Sequence, residues 1–327
     1  MKAVITGGAG FLGQRLSAAL LQRGTLAGPD GRPQPIEHLT LLDVVSAPPA
    51  ADPRVESIAG DVADPALLDR VIDRDTTSVF HLAAIVSGQA EADFDLGMRV
   101  NFDATRTLLE VCRARGHRPR VVFASSCAVY GGELPAVVPA TAALTPQSSY
   151  GSQKAMGELL VNDYSRRGFV DGRALRLPTI SVRPGKPNAA LSSFASGVIR
   201  EPLNGVESIC PVPASTQVWL LSPATVIECF IRAHDLDGAA LGANRSLILP
   251  GFTVSVGEMV AALERVAGPE VAGRVRFAPE ERVERIVRTW PVALDASRAL
   301  GLGFPTDTSF DEVIRRYRVD ELGFMSS

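Results

Sequence analysis

Thr6-Gly7-Gly8-Ala9-Gly10-Phe11-Leu12-Gly13 decides the fold of this 327-residue chain. The stretch follows a short apolar run at residues 3–6 and opens a segment with helical spacing at residues 12–23. Gly7, Gly10 and Gly13 stand three apart. Glycines so placed permit a tight turn and let backbone N–H groups approach a pyrophosphate. The last of them lets helix and strand pack closely, while the helix N-terminus favours negative charge. Glycines alone also occur in ordinary turns. A strand before them and a helix after them make this a dinucleotide-binding turn.

Further apolar runs lie at residues 39–43, 55–59, 78–82 and 121–125, with helical spacing at 67–72 and 100–115. Strands that read as unbroken apolar runs are buried on both faces, so the alternation predicts a Rossmann-type α/β fold, a doubly wound parallel sheet. Residues 24–37 (GTLAGPDGRPQPIE) read as a surface insertion rich in Pro and Gly. Residues 150–167 read as a helix and 173–178 as a sixth strand. Beyond residue 182 Pro and Gly become dense (RPGKPN, REPLNG, CPVPAS) and the alternation fades. The expected organisation is a dinucleotide-binding domain at 1–178 carrying the reactive residues. A smaller, loop-rich α/β substrate lobe follows at 179–327, with some segments returning to the first domain.

Composition bounds the function. The 33 basic and 36 acidic residues nearly cancel, which disfavours a nucleic-acid partner, whose phosphates call for a basic surface. Cys112, Cys127, Cys210 and Cys229 form no CxxC pair and have no histidine partners, so neither a metal site nor a disulfide framework is expected. A reducing, cytoplasmic setting follows. No apolar run reaches the roughly 18 residues of a membrane span. The opening strand begins at once, and no signal peptide is expected.

Asp43 ends the second strand (LTLLD). A carboxylate there accepts hydrogen bonds from the adenosine ribose and repels a 2′-phosphate, which selects NAD over NADP. Asp61, with Val62, follows the third strand and is placed to meet the adenine amino group. His81-Leu82-Ala83-Ala84 ends the fourth strand with small residues where a cofactor passes backbone; His81 itself reads as packed. Tyr150 and Lys154 are four apart on one helix and share a face. An ammonium beside a phenol stabilises the phenolate, so Tyr150 can take a proton from a hydroxyl as hydride leaves its carbon. Ser125 and Ser126 end the fifth strand, where ligands of parallel sheets bind.

TGGAGFLG, LLD, GD, HLAA, SSCAVYG and SYGSQK, in this order, resemble the extended short-chain dehydrogenase/reductase superfamily. The resemblance spans essentially the whole chain. It implies that the catalytic serine lies four residues before Tyr130, at Ser126, with Ser125 an accessory contact to cofactor or substrate. It also implies that Asn101 supports the cofactor pocket and that Leu177 and Pro178 line the nicotinamide. Members that dehydrate sugars carry an Asp-Glu pair after the catalytic Ser or Thr. Cys127 and Ala128 stand there, which argues against dehydration.

The segments at 83–97, 164–179 and 176–188 resemble a narrower subgroup that oxidises D-erythronate. That likeness implies NAD-dependent oxidation of a small sugar acid at its C2 hydroxyl. An acid needs a cationic or amide clamp, and Arg183, Lys186 and Asn188 share one loop; which of them faces the cleft stays open. Ser87 borders the nicotinamide end and is a further substrate contact. The resemblance also implies a homodimer, built on the helices at 100–115 and 150–167. Two other readings stand beside this one: a nucleotide-sugar 4-epimerase with tightly held NAD, and an NAD-sensing regulator. A sensor has no need for Ser126, Tyr150 and Lys154 together, and the distal lobe has few paired basic residues for a diphosphate.

Overall fold

The computed structural model describes residues 1–185 and 191–323. Seven strands form the central sheet: β1 Lys2–Thr6, β2 His38–Asp43, β3 Val55–Ala59, β4 Thr76–His81, β5 Arg120–Ser126, β6 Asp171–Leu177 and β7 Ser246–Ile248. Their order is β7-β6-β5-β4-β1-β2-β3, and every neighbouring pair is parallel. In β1, Ala3 and Ile5 pack into one layer with Leu16 and Leu20 of the helix Phe11–Arg23. Val4 packs into the other layer, with Leu108 and Cys112 of the helix Ala104–Arg115. A run without polar alternation therefore serves a sheet covered on both faces. The strand order reverses between β1 and β4, and the loops beyond the strand ends part there, leaving a crevice.

The insertion at 24–37 is more than a surface loop. Thr25–Ala27 and Pro33–Pro35 pair as an antiparallel hairpin. Leu26 and Ile36 are buried in the core beside the first helix, while the tip and the prolines of the second strand stand in solvent. The helix expected from residue 100 also differs. It runs as α-helix from Ala104 to Arg115, preceded by a π-helical turn at Met98–Asp103. That turn carries Asn101 inward.

The distal lobe is better ordered than its Pro and Gly suggest. Thr179–Ile180, Gln217–Leu221 and Phe252–Ser255 form a three-stranded sheet, and Ser208–Cys210 pairs with Val275–Phe277. Helices Phe194–Leu203, Val256–Ala267 and Phe310–Leu322 enclose a second core that includes Val198, Ile199, Met259, Leu263, Val313 and Ile314. The prolines mostly punctuate elements and do not break them: Pro223 and Pro269 stand in the first turn of their helices, where the missing N–H costs nothing. Between the lobe segments, helix Pro223–Asp235 and β7 return to the central sheet.

At Gly13 an added Cβ would overlap the Gly7 carbonyl oxygen and come 2.8 Å from Gly8 Cα. Overpacking of this kind typically costs 1–3 kcal/mol. Gly13→Ala is accordingly expected to lose about that much stability in urea unfolding and to raise the NAD Kd about tenfold or more by titration calorimetry.

Candidate active site

One cavity of about 750 Å³ follows the crevice and continues between the central sheet and the distal lobe. Gly7, Gly10, Phe11, Leu12 and Gly13 line one end, with Asp43, Asp61 and Val62 from the ends of β2 and β3. Leu82, Ala83, Ala84, Leu177 and Pro178 line the middle. Ser87, Ser125, Ser126, Tyr150, Lys154 and Arg183 stand where the two lobes meet.

The turn end suits a pyrophosphate. The helix Phe11–Arg23 begins at Gly10 with no side chain capping its N–H groups and no acidic residue in its first turn. Those donors and the helix dipole are left for an anion. One oxygen of Asp43 accepts from Ala9 N (3.1 Å), which ties the carboxylate to the turn. Asp61 is engaged differently from the sequence expectation: it accepts from Ala63 N (2.8 Å) and pairs with Arg99 of the π-helical turn.

Asn101 does not reach the cavity wall. Its Oδ1 accepts from Ile85 N (2.7 Å), and its Nδ2 donates to Ile85 O (3.1 Å) and Gln153 Oε1 (2.8 Å). The amide is spent on the backbone behind the wall, where it holds the loop after β4; it contacts no ligand space. His81 is buried and neutral. The Thr105 hydroxyl gives its proton to Asn101 O (2.8 Å), so His81 Nε2 carries the hydrogen it donates to Thr105 (2.9 Å). Nδ1 then accepts from Thr6 Oγ1 (2.6 Å). Burial first, and then the charge of Lys154, lower its pKa to about 3.

Tyr150 and Lys154 project from helix Ser149–Arg166, whose N-cap Ser148 accepts from Gly151 N (3.1 Å). The Ser126 hydroxyl stands beside the Tyr150 phenol on the cavity wall and acts to lower its pKa, and the charge of Arg183 acts in the same direction. Burial outweighs both and pushes the phenol up to about 12. The lowered value expected from the Tyr–Lys spacing is thus not reached in the ligand-free chain. Lys154 Nζ lies 5.6 Å from the Tyr150 ring centroid and 4.8 Å from that of Phe123. It is 1% exposed, and burial brings its own pKa down to about 7. An ammonium so poorly solvated on a cavity wall is suited to a polar ligand.

Ser125 lines the cavity, yet its hydroxyl turns away and donates to Glu158 Oε1 (2.5 Å). Arg183 is partly buried, with its N–H donating to Ser196 Oγ (3.0 Å) and Nη2 to Ser192 Oγ (3.4 Å). Among the described residues it has no carboxylate partner. Lys186 and Asn188 lie outside the described residues. Trp219, Trp290 and Thr289 of the distal lobe also line the cavity. No pattern in the sequence marked them, because they come from separate lobe segments that only the fold brings together. Among the described residues no cluster of His, Cys, Asp or Glu is placed to hold a metal, and no helix is long and apolar enough to cross a membrane.

Residues 3–219 match the model of the NAD dependent epimerase/dehydratase family. The chain belongs to that family. This family member is 62% identical to a D-erythronate dehydrogenase of Cupriavidus necator over 98% of both chains. It is 47% identical to one of Haemophilus influenzae, over 97% of this chain and 98% of the other. A solved structure described as a nucleoside-diphosphate-sugar epimerase from Agrobacterium tumefaciens superposes with a TM-score of 0.94 at 43% identity, covering 99% of this chain and 95% of that one. The cofactor of the family is NAD, and the uncapped helix end, the glycine turn and the Lys154 ammonium fit it.

A lysine whose folded pKa is depressed binds fewer protons folded than unfolded between about 7 and its ordinary value of 10.5. Stability from this group is therefore fully present above the unfolded value and is lost as pH falls toward about 7. The ligand-free protein should gain stability from pH 7 to pH 10 relative to Lys154→Met, as read by urea midpoints across that range.

Proposed function

We propose that this chain is an NAD-dependent dehydrogenase of a small sugar acid, D-erythronate or a close aldonate, oxidising the C2 hydroxyl to the 2-oxo acid. The observation that carries this reading is Arg183. A guanidinium without a carboxylate partner among the described residues stands on the cavity wall, close enough to Tyr150 for each to shift the other's ionisation. Such a group binds a carboxylate with two parallel hydrogen bonds, and an anion there satisfies a charge already taken partly out of water.

The roles of the side chains follow. Arg183 holds the substrate carboxylate, with Ser87 beside it. Ser126 donates a hydrogen bond to the oxygen on C2. Tyr150 accepts the proton of that hydroxyl, and Lys154 and Arg183 supply the positive charge that makes the phenolate affordable in a buried site. A bound NAD would supply the acceptor for the hydride that leaves C2. One C–H and one O–H bond break, a C=O bond forms, and NADH and the 2-oxo acid are the products. Asp43 selects NAD over NADP. The curated relatives named for D-erythronate support this substrate class.

The same reading includes a homodimer and a cytoplasmic setting. Leu159 stands 65% exposed in the middle of helix Ser149–Arg166, where an apolar side chain gains by being covered. The four cysteines are all buried and unpaired, which suits a reducing compartment. Light scattering on the purified protein is expected to give the mass of two chains, and Leu159→Glu the mass of one.

Purified protein with NAD and a panel of aldonates should generate NADH fastest with a four-carbon acid. Absence of NADH with every acid, together with tightly retained NAD and turnover of a nucleotide sugar, would replace this reading with the epimerase one. Arg183→Met is expected to raise KM for the acid about 10- to 100-fold, the worth of a hydrogen bond to a charged group. Tyr150→Phe should lower kcat at least about 100-fold while NAD still binds, because proton transfer carries a factor of that order.

A further inference from the structure

Tyr150, Lys154 and Glu158 are spaced four apart, so one face of helix Ser149–Arg166 carries all three. The first two meet the cavity. Glu158 is 2% exposed and lies behind it. Arg176 Nε donates to both of its oxygens (3.0 and 3.1 Å) and Nη2 to Oε2 (2.7 Å). The hydroxyl of Ser125 donates to Oε1 (2.5 Å). Arg176 also donates to the Tyr130 hydroxyl and lies over that ring, 5.1 Å from its centroid. One carboxylate thus joins the helix bearing Tyr150 to the ends of both strands beside it: β5, where Ser126 follows Ser125, and β6, where Leu177 on the cavity wall follows Arg176.

The helix is also pressed, from its first turn, against the turn Cys127–Val129 that follows β5. A Cβ on Gly151 would overlap the Ala128 carbonyl oxygen, so the backbones of the two segments already touch. Contact of this kind sets how near the elements come, while the Glu158 bonds set their register along the helix axis.

Stability alone is a poor account of the pair. Taking both charges out of water costs several kcal/mol per ion, and apolar replacements of such pairs are often as stable or more so. A fork of directed bonds gives something an apolar contact does not, a single relative placement of three elements. We propose that Glu158, through Arg176 and Ser125, is a positioning residue for the reaction: it fixes the Ser126 hydroxyl against the Tyr150 phenol. Neither Glu158 nor Arg176 contacts the reacting atoms. Their effect belongs to the geometry of proton transfer, where a displacement of about 1 Å costs on the order of 100-fold in rate. The proposal rests on Ser126 and Tyr150 being the reacting groups.

Three variants and two readouts test it. Glu158→Gln should lower kcat about 10- to 100-fold and leave KM for NAD and for the acid within about twofold. Backbone hydrogen exchange, measured without substrate, should quicken at residues 125–128 and 149–154 and stay unchanged in β1. The paired replacement Glu158→Met with Arg176→Met should restore the unfolding midpoint and leave kcat low. Recovery of kcat along with stability would reduce the pair to a structural role and overturn the proposal. So would a kcat within about twofold of the unmodified enzyme in Glu158→Gln, or exchange that quickens uniformly across the sheet. Should Glu158→Gln fail to fold, Ser125→Ala carries the same readouts: a fall in kcat supports positioning, and a rise in KM alone makes Ser125 a direct substrate contact instead. Absence of aldonate oxidation by the unmodified protein would overturn the proposed function only, since the exchange pattern judges the lock by itself.

Discussion

At Gly13 the first helix comes so near the Gly7 carbonyl that no side chain fits between them. The rest of the molecule depends on that approach. It points an uncapped helix end across the tip of β1, at the place where the sheet order reverses. Every other strand beside the cleft then ends with something that lines the cavity: Asp43 on β2, small residues after β4, Ser126 on β5, Leu177 on β6. A parallel sheet aligns these ends by construction, so residues far apart in sequence arrive on one edge without separate arrangements.

Within the cleft, burial and charge pull in opposite directions. Burial raises the Tyr150 phenol and lowers the Lys154 ammonium, so the two values draw apart from what an exposed Tyr–Lys pair would show. The Ser126 hydroxyl and the charge of Arg183 work against the first effect. His81 is kept neutral below this group, held by two threonine hydroxyls, so it adds no positive charge that would compete with Lys154. The chain therefore presents a phenol whose ionisation depends on the charges gathered around it.

Much of this was legible in the residues. The glycine turn, the strand-end Asp43 and the Tyr150–Lys154 spacing are local patterns, and local patterns survive in a single sequence. The apolar runs gave the parallel sheet for the same reason. The hairpin at 25–35 was not legible, because its strands are only three residues long and the second, Pro33–Pro35, is two-thirds proline with neither proline buried. Glu158 and Arg176 were passed over because a charged residue on a helix or in a strand usually reads as solvated; their burial exists only once the helix lies on the sheet. Asn101 reads as a support of the cofactor pocket; that it acts from behind the wall, through the backbone of Ile85, was not legible, because a π-helical turn places it there. The order of the distal lobe was hidden by proline and glycine counts that mark element ends as readily as loops.

The path of the chain through that lobe limits how such enzymes diversify. After β6 it enters the lobe, returns to the central sheet with helix Pro223–Asp235 and β7, re-enters the lobe at Phe252–Ser255, touches the sheet core again at Ala299 and Phe304, and runs back into the lobe with Phe310–Leu322. The lobe is stitched to the sheet at several seams. No single cut detaches it, and a specificity transplant from one relative to another has to exchange several separated segments at once. New substrates are reached more economically by altering single side chains on the cavity wall than by trading the lobe as a module.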